Sequence, residues 1–394
     1  MRTLRWLPIV LATMIPCTAM AQGLGPDEDG VVPLFNGRDL SGWHALNHWL
    51  VEDGVLHCTG ERDGSGWLRS ELMYEDFVLR LEYKISPRGN SGIFVRAPVV
   101  GRCSQIGMEI QIRDDRGRDP SSSSAGALYK IMAPARSVSK PAMEWNDIEI
   151  SCRGKRVVTT MNGEQLYHVD LDDDELNARL ADDFKASGRR RFGHIGLQNH
   201  GKPVWFRNIR IKPLPPQGYI PLFNGRDLGG WREVGHGSWS VENGLLVFEG
   251  KAAGRLLSEQ MHGDFRLKLD YRLTEGAGGG VCVGGSDTDG GVEVQLLDDA
   301  GAEPSPTSSG ALHGILAPAK NATRPTGGWN QLEVTRRDGV LSANLNIVDL
   351  WSAGLAEHDK LRALPARCAI GLQGSGGRIE FRNIYLKPLA PGVW

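Results

Sequence analysis

The chain carries the stretch PLFNGRDL at residues 33–40 and repeats it without change at residues 221–228. A Gly-Trp pair follows each copy at the same distance, at residues 42–43 and 230–231. Chance does not produce an identity of eight residues, so these stretches mark an internal duplication. The copies begin 188 positions apart, which is too long for a solenoid or propeller repeat and typical of whole domains.

Each copy opens a repeat of domain length. The first spans residues 32–214 and the second residues 219–389, with the Pro- and Gly-containing segment 215–218 between them. In both repeats, matched segments alternate apolar and polar residues with the period of two that indicates β-strands, as in residues 77–83 and 265–271. Turn signals separate many such short runs. The pattern predicts an all-β fold of two tandem sandwiches with little helix.

The first repeat is longer than the second in one place. The interval between a matched Trp and a matched Gly runs over residues 145–196 in the first repeat and over residues 329–371 in the second. Three aspartates at 172–174 favour a helix start, and the apolar residues that follow lie four apart, at Leu176, Leu180 and Phe184. A short helix is predicted there. The extra segment, which ends near residues 189–191, is either a solvated excursion or a lid over a site.

The first 21 residues predict an export signal. They combine the basic residues Arg2 and Arg5, a short apolar run over residues 7–15, and an Ala-x-Ala cleavage site that ends at Ala21. The apolar run is too short for a permanent membrane anchor. We expect a secreted or periplasmic protein after cleavage near Ala21. Cys17 leaves a lipid-anchored form as the alternative.

Charge and cysteine content exclude several kinds of partner. Lys and Arg number 45 against 47 Asp and Glu, and no long basic tract occurs, so nucleic acid is not expected. No stretch after residue 21 is apolar enough for a membrane span. The later cysteines share no CxxC spacing and no equivalent positions in the repeats, which argues against a metal cluster and a shared disulfide framework. One pair could still be oxidised, but most are expected to be small buried side chains. These cysteines are Cys58, Cys103, Cys152, Cys282 and Cys368.

Several segments, taken in order, carry a resemblance to a known family. They are the opening stretch, NSGIFVR at 90–96, the Glu109-x-Gln111 strand, GALY at 126–129, Trp145-Asn146 and FRNI at 206–209. Together they resemble the 3-keto-disaccharide hydrolase domain of secreted bacterial proteins, over nearly all of both repeats. The resemblance implies a concanavalin A-like jelly roll for each repeat. It also implies action on glycosides oxidised at C3, or at least recognition of carbohydrate.

The two repeats differ in their polar side chains. Asn90, Gly92, Phe94 and Arg96 should line one face of a strand, because residues two apart point the same way. In the second repeat glycines replace Asn90 and Arg96, whereas the apolar residues of the other face persist. Tyr129 and His200 are likewise replaced, by a histidine and a serine. This selective loss favours a functional site in the first repeat over a merely solvent-exposed face.

Other residues persist in both repeats. Glu109 and Gln111 recur as Glu293 and Gln295, and the Asp pair at 114–115 recurs at 298–299. For the Asp pair a turn role is expected. The aromatic residues of the opening motif, Phe35 and Trp43, are expected in the core.

These observations predict one candidate site. Glu109 and His200 are the candidate catalytic groups, and the candidate substrate-binding residues are Asn90, Arg96, Gln111 and Tyr129. Carboxylate, amide and guanidinium groups on one concave face suit the hydroxyls of a sugar. In a 3-keto-glycoside the ketone acidifies the proton on C2. A base such as Glu109 or His200 could remove that proton, the group at C1 would leave, and water would then add.

Alternatives remain open at this point. Direct hydrolysis by a carboxylate pair would need a second acid, for which Asp114 is nearest in sequence. A divalent metal such as calcium could polarise the ketone, although the sequence holds no strong ligand motif and no other cofactor is indicated. The rival functions are non-catalytic carbohydrate binding and an assembly module.

Overall fold

The computed structural model describes residues 31–44, 48–61, 67–285 and 291–390. The export signal predicted for residues 1–21 lies outside them. Within the described ranges, the two repeats form two β-sandwiches, each with its own hydrophobic core. This confirms the predicted fold class, two tandem jelly-roll sandwiches with minor helix.

The first repeat is built from two facing sheets. Its strands are β1 (Val32–Pro33), β2 (Trp43–His44), β3 (Trp49–Glu52), β4 (Val55–Cys58), β5 (Trp67–Tyr74), β6 (Asp76–Ile85), β7 (Asn90–Ala97), β8 (Met108–Arg113), β9 (Asn146–Arg153), β10 (Arg156–Met161), β11 (Glu164–Asp170), β12 (Gly193–Gln198) and β13 (Val204–Leu214). The back sheet has the order β11-β10-β9-β6-β13-β4-β3, with β1 beside β13, and the front sheet has the order β2-β5-β12-β7-β8. Antiparallel pairing runs throughout both sheets.

The second repeat follows the same plan. Its strands are β14 (Ile220–Pro221), β15 (Trp231–Gly235), β16 (Ser238–Glu242), β17 (Leu245–Gly250), β18 (Gly254–Ser258), β19 (Phe265–Leu273), β20 (Gly278–Gly285), β21 (Val292–Leu297), β22 (Asn330–Arg337), β23 (Val340–Leu345), β24 (Val348–Gly354) and β25 (Ala369–Pro388). The single long strand β25 corresponds to both β12 and β13 of the first repeat. It pairs with β18 and β20 in the front layer and with β17 and β19 in the back layer.

Helices are few and short in the described ranges. They are α1 (Cys103–Ile106), α2 (Asp174–Arg179), α3 (Asp359–Arg362) and the 3-10 turns Asp182–Phe184 and Leu355–Glu357. The predicted helix begins as expected, with Asp173 Oδ1 accepting the N–H of Leu176 at 2.8 Å. It ends earlier than predicted, because the Asn177 side chain accepts the N–H of Ala186 at 2.7 Å and folds the following segment back on it.

The repeated motif builds the same turn twice. Asn36 Oδ1 accepts the N–H groups of Arg38 and Asp39 at 2.8 and 3.0 Å, and Gly37 supplies the positive φ of 74° that the turn requires. Trp43 then donates from its indole N–H to the carbonyl of Leu34 at 2.9 Å. In the second copy each of these distances agrees within 0.2 Å. Trp43 is buried together with Phe35, as predicted for the core.

The cysteines of the described ranges are free thiols. Cys103 is half-buried, and the other four are buried. They serve as small apolar side chains, in line with the expectation from their spacing.

The two sandwiches contact each other through the end of β5. The side-chain amide of Gln331 donates to the carbonyl of Met73 at 2.9 Å and accepts the N–H of the same residue at 3.1 Å. Arg324 Nη2 donates to the carbonyl of Glu71 at 2.7 Å. A strand of the first front sheet is thus held by side chains of the second repeat.

Candidate active site

A row of side chains crosses the front sheet of the first repeat. Strand register aligns, from one edge to the other, His44, Arg69, Gly196, Phe94 and Glu109. Met108 and Ile110, on either side of Glu109 in sequence, belong to the core. Because side chains alternate along a strand, the row lies on the outer face of the front sheet, away from that core.

Glu109 is a buried carboxyl group on this face. It is 5% exposed, and burial raises its pKa from 4.5 to about 7. Among the residues that the structure describes, no side chain donates a hydrogen bond to its carboxylate, which lies against Gly92. A carboxyl group that is half ionised near neutral pH and has no fixed partner is suited to general acid–base chemistry.

Gly92 makes room for the Glu109 carboxylate. A Cβ at position 92 would lie 2.3 Å from Glu109 Oε1, so Gly92→Ala must displace that carboxylate. We expect a loss of turnover of at least about tenfold, since an ångström of misplacement is costly in catalysis. The matched control is Gly280→Ala, whose Cβ would lie 2.1 Å from Glu293 Oε1 in the second repeat. An equal loss in the control would contradict the assignment of the site to the first repeat.

Three further predicted residues lie beside Glu109. Gln111 Nε2 donates to Asn90 Oδ1 at 3.0 Å, which fixes both amides on the outer face. The backbone N–H of Tyr129 donates to the carbonyl of Glu109 at 2.8 Å. The half-buried Tyr129 ring meets Phe184 edge to face at 6.0 Å, so the extra segment of the first repeat forms a wall of the site.

Arg96 does not lie on this face, and the expectation that it binds substrate is corrected. It is fully buried and pairs with Asp76 at 3.1 Å, and its other nitrogens donate to the carbonyls of Glu75 and Gly154. The positive φ of Arg96, +52°, interrupts the strand, so its side chain does not follow the alternation on which the prediction rested. Arg96 is therefore part of the scaffold.

The replacement of Arg96 by Gly284 is compensated elsewhere in the second repeat. Cys152, whose pKa is raised by burial and lowered less by the neighbouring Arg96, corresponds to Arg336. Arg336 is buried and donates to Cys368 Sγ at 3.3 Å. A buried guanidinium thus enters from a different strand in each repeat, and the loss of Arg96 is an exchange within the scaffold.

His200 is also placed apart from the row. It is exposed in the loop after β12, four residues beyond Gly196, and its catalytic role stays a prediction. Asp114 and Asp115 have the predicted turn role, since their carboxylates accept the N–H groups of Arg88 at 2.7 Å and Ala125 at 3.0 Å. The equivalent pair in the second repeat accepts backbone N–H groups in the same way.

The structure adds an aromatic platform and a cation that the sequence analysis missed. The Trp67 ring covers Gly196, where a Cβ would lie 2.1 Å from it, and meets Phe94 edge to face at 5.7 Å. Arg69 lies in the row itself. Cys103 is half-buried. Burial first and the Glu109 carboxylate second raise the pKa of its thiol to about 11, and Arg69 opposes this shift.

His194 is a further missed residue. It is buried, and its Nδ1 lies 2.7 Å from the carbonyl of Ser70, which assigns the proton to Nδ1 and leaves Nε2 as an acceptor. Burial, with a contribution from Arg69, lowers its pKa to about 4, so the ring is neutral at pH 7. The second repeat has Ala369 at this position, a difference visible in the sequence.

The equivalent row of the second repeat has lost most of this chemistry. It consists of Arg232, Leu257, Gly371, Cys282 and Glu293. Burial raises the pKa of Glu293 to about 7 as well, but Gln373 Nε2 donates to its carboxylate at 3.1 Å. Comparison of strand positions would have found Trp67 and Arg69, which are replaced by Arg255 and Leu257.

The site has no metal-binding cluster in the ranges that the structure covers. No group of three or more His, Cys, Asp or Glu side chains converges there. Likewise, no helix in the described ranges is long and apolar enough to cross a membrane.

Comparison with known proteins places the chain in a family. A 3-keto-disaccharide hydrolase from Bacteroides thetaiotaomicron is 30% identical over 232 residues, covering 48% of this chain and 80% of the relative. A solved structure described as a glycosyl hydrolase from Parabacteroides distasonis is 26% identical, covers 47% of this chain and 95% of its own, and has a TM-score of 0.43. The carbohydrate-binding module CBM66 from Bacillus subtilis is 16% identical, covers 43% and 99%, and has a TM-score of 0.31. The model of the 3-keto-alpha-glucoside-1,2-lyase-like domain matches residues 30–212 and 218–387, so the chain belongs to this glycoside-acting family and carries two copies of its domain.

Proposed function

We propose that the first repeat cleaves the glycosidic bond of 3-keto-glycosides, with Glu109 as its proton-transfer group. The observation that carries this proposal is the buried Glu109 carboxyl with a pKa of about 7, beside an aromatic face of Trp67 and Phe94 that the second repeat lacks. The name of the Bacteroides relative, 3-keto-disaccharide hydrolase, supports the choice of substrate. We infer that the protein acts outside the cytoplasm, because residues 1–21 have the pattern of an export signal.

The reaction begins with removal of the proton on C2 of the sugar. The Glu109 carboxylate takes this proton, and the electrons of the C–H bond pass into an enolate whose charge rests on the C3 oxygen. The enolate then expels the alkoxide at C1, which leaves as an alcohol after protonation. Addition of water to the resulting enone places a hydroxyl on C1 and a proton on C2. The sum is hydrolysis of the glycosidic bond.

The remaining residues of the face provide binding and charge. The half-buried ring of Trp67, packed edge to face on the buried Phe94, offers an apolar surface to the sugar. The amides of Asn90 and Gln111 suit the sugar's hydroxyls. Arg69 is the cation of the row and would stabilise negative charge on the enolate. Direct hydrolysis through Asp114 is not favoured, because that carboxylate already accepts a backbone N–H.

Turnover of a 3-keto-glycoside with a chromogenic leaving group tests the proposal. The mature chain would be assayed alone, with a chelator and with added calcium, and beside the parent glycoside that lacks the ketone. Release from the keto-sugar alone supports the proposal. Binding of the keto-sugar without any release would contradict it and identify a carbohydrate-binding protein.

The pH dependence of kcat/KM should reveal Glu109 as the base. Only its ionised form can accept the C2 proton, so we expect kcat/KM to rise about tenfold per pH unit below a pH of about 7 and to level off above it. A nitrophenolate leaving group needs no acid, which isolates this ionisation. A rate that falls through pH 7 would instead make Glu109 the acid.

A further inference from the structure

A cleft lies between the two sandwiches, apart from the Glu109 row. Its volume is about 820 Å³, and both repeats and the segment that joins them line it. This is within the range of sites that bind small ligands, which often lie at domain interfaces.

Two walls of the cleft are built where the repeats differ from each other. Phe192, at the end of the extra segment of the first repeat, is 42% exposed and lines one wall. Ile347 lines another wall and is 59% exposed. In the first repeat the position of Ile347 is held by Gly163.

The Ile347 turn is strained. Its φ is +69°, a left-handed conformation that is unfavourable for a β-branched residue and that Gly163 adopts without cost. Because the Ile347 side chain is exposed, burial in the core does not compensate for the strain of its turn. Both departures from repeat symmetry therefore place an exposed apolar side chain at the same cleft.

The cleft also carries cations without counterions. Five carboxylates line the cleft. Glu75 and Glu333 pair with Lys268, Asp76 with Arg96, and Asp270 with Arg382. The Asp349 carboxylate accepts from the Asn344 amide instead. Among the lining residues that the structure describes, three cations have no carboxylate within salt-bridge distance. These are Arg190, Arg191 and Lys387.

Each of the three cations lies against another residue of the cleft or of the segment that joins the repeats. The Arg190 guanidinium lies over the Phe192 ring, 4.8 Å from its centroid. Arg191 Nη2 lies 3.4 Å from Gln217 Oε1, and its buried Nε has no hydrogen-bond partner. The next residue, Gly218, contacts Lys387, because a Cβ added at Gly218 would lie 3.3 Å from Lys387 Cε. Arg191 and Lys387 thus flank the joining segment at residues 217–218.

We propose that this cleft binds an acidic oligosaccharide, with a uronate carboxylate on Arg191 and Lys387 and a sugar face against Phe192. Guanidinium groups pair with carboxylates through two parallel hydrogen bonds, and the proposal assigns them to the outer nitrogens of Arg191. Amide and carboxylate groups of Asn344 and Asp349, joined by a hydrogen bond of 2.9 Å, face the same space and suit hydroxyls. This site is independent of the Glu109 chemistry.

Isothermal titration calorimetry of the mature chain with trigalacturonate tests the proposal. The test variant is Arg190→Gln/Arg191→Gln, and the control is Arg38→Gln/Arg210→Gln, which removes the same charge from exposed positions of the first repeat. We expect the test variant to weaken binding about tenfold or more and the control less than about twofold. Binding should also weaken with added salt.

Three outcomes would overturn the proposal. They are no heat of binding to the wild type at about 5 mM ligand, equal weakening by the control variant, and equal affinity for the neutral trimer maltotriose. Glu109→Gln should bind trigalacturonate as the wild type does. A loss in that variant would place the ligand on the catalytic face instead.

Discussion

Glu109→Gln is expected to lower kcat/KM on a 3-keto-glycoside by about 10²- to 10⁴-fold, the usual contribution of a general base. The amide keeps the size of the side chain but cannot accept the C2 proton. The matched control is Glu293→Gln, which changes the equivalent buried carboxyl of the second repeat and should leave the rate within about twofold. A rate loss shared equally by the two variants would show that the assignment to the first repeat is wrong.

Glu109→Gln should also be more stable than the wild type at alkaline pH. The pKa of Glu109 is about 7 in the folded protein and 4.5 in the absence of burial, so folding disfavours its ionised form. This penalty is absent below pH 4.5, grows as the pH rises to about 7 and is constant above, where it amounts to roughly 3 kcal/mol at about 1.4 kcal/mol per pKa unit. Denaturant unfolding at pH 8 and pH 4 measures the difference. Stabilisation at pH 8 with loss of turnover would identify Glu109 as a functional group kept at a cost in stability.

Asp76→Ala should destabilise the first sandwich by about 3–5 kcal/mol, because it leaves the buried Arg96 guanidinium without its counterion. The carboxylate also accepts the N–H of Gly154 at 2.8 Å, which the variant leaves unpaired. Denaturant unfolding followed by tryptophan fluorescence measures the loss. The matched control is Asp264→Ala, which removes only a hydrogen bond of 2.9 Å from Asp338 and should cost about 1 kcal/mol.

A second variant separates the charge from the packing. Asp76→Leu combined with Arg96→Met removes both charges, and such apolar replacements of a buried pair are often neutral. We expect this double variant to be more stable than Asp76→Ala and to keep its turnover. Loss of turnover in a stably folded double variant would show that Arg96 contributes to the active site.

The sequence was sufficient for the fold and for placing Glu109 and Gln111 on one face of the front sheet, and for definite physical reasons. Alternation along β8 places Glu109 and Gln111 on one face, and this follows from strand geometry alone. Arg96 was predicted wrongly because a single positive φ reverses the direction of its side chain. Trp67 and His194 were missed because they reach the site from strands far apart in sequence. Comparison of the repeats at each strand position was the signal that could have found them.

The contact between the sandwiches could not be predicted from strand patterns. It depends on how two finished surfaces fit, and Gln331 is one polar residue among many on an exposed strand face. The cleft has the same origin, since its walls come from a segment end and a turn that lie far apart in the chain.

The two hydrogen bonds between the Gln331 side chain and the Met73 backbone also make the contact between the repeats specific to these two residues. Head-to-tail contacts between like units propagate into filaments unless something stops them. In the second repeat the counterpart of Met73 is the exposed Met261, whose carbonyl already accepts from Arg367 at 2.7 Å. In the first repeat the counterpart of Gln331 is Asp147, whose side chain has no N–H to donate. Met261 and Asp147 therefore cannot form with each other the pair of hydrogen bonds that joins Met73 to Gln331.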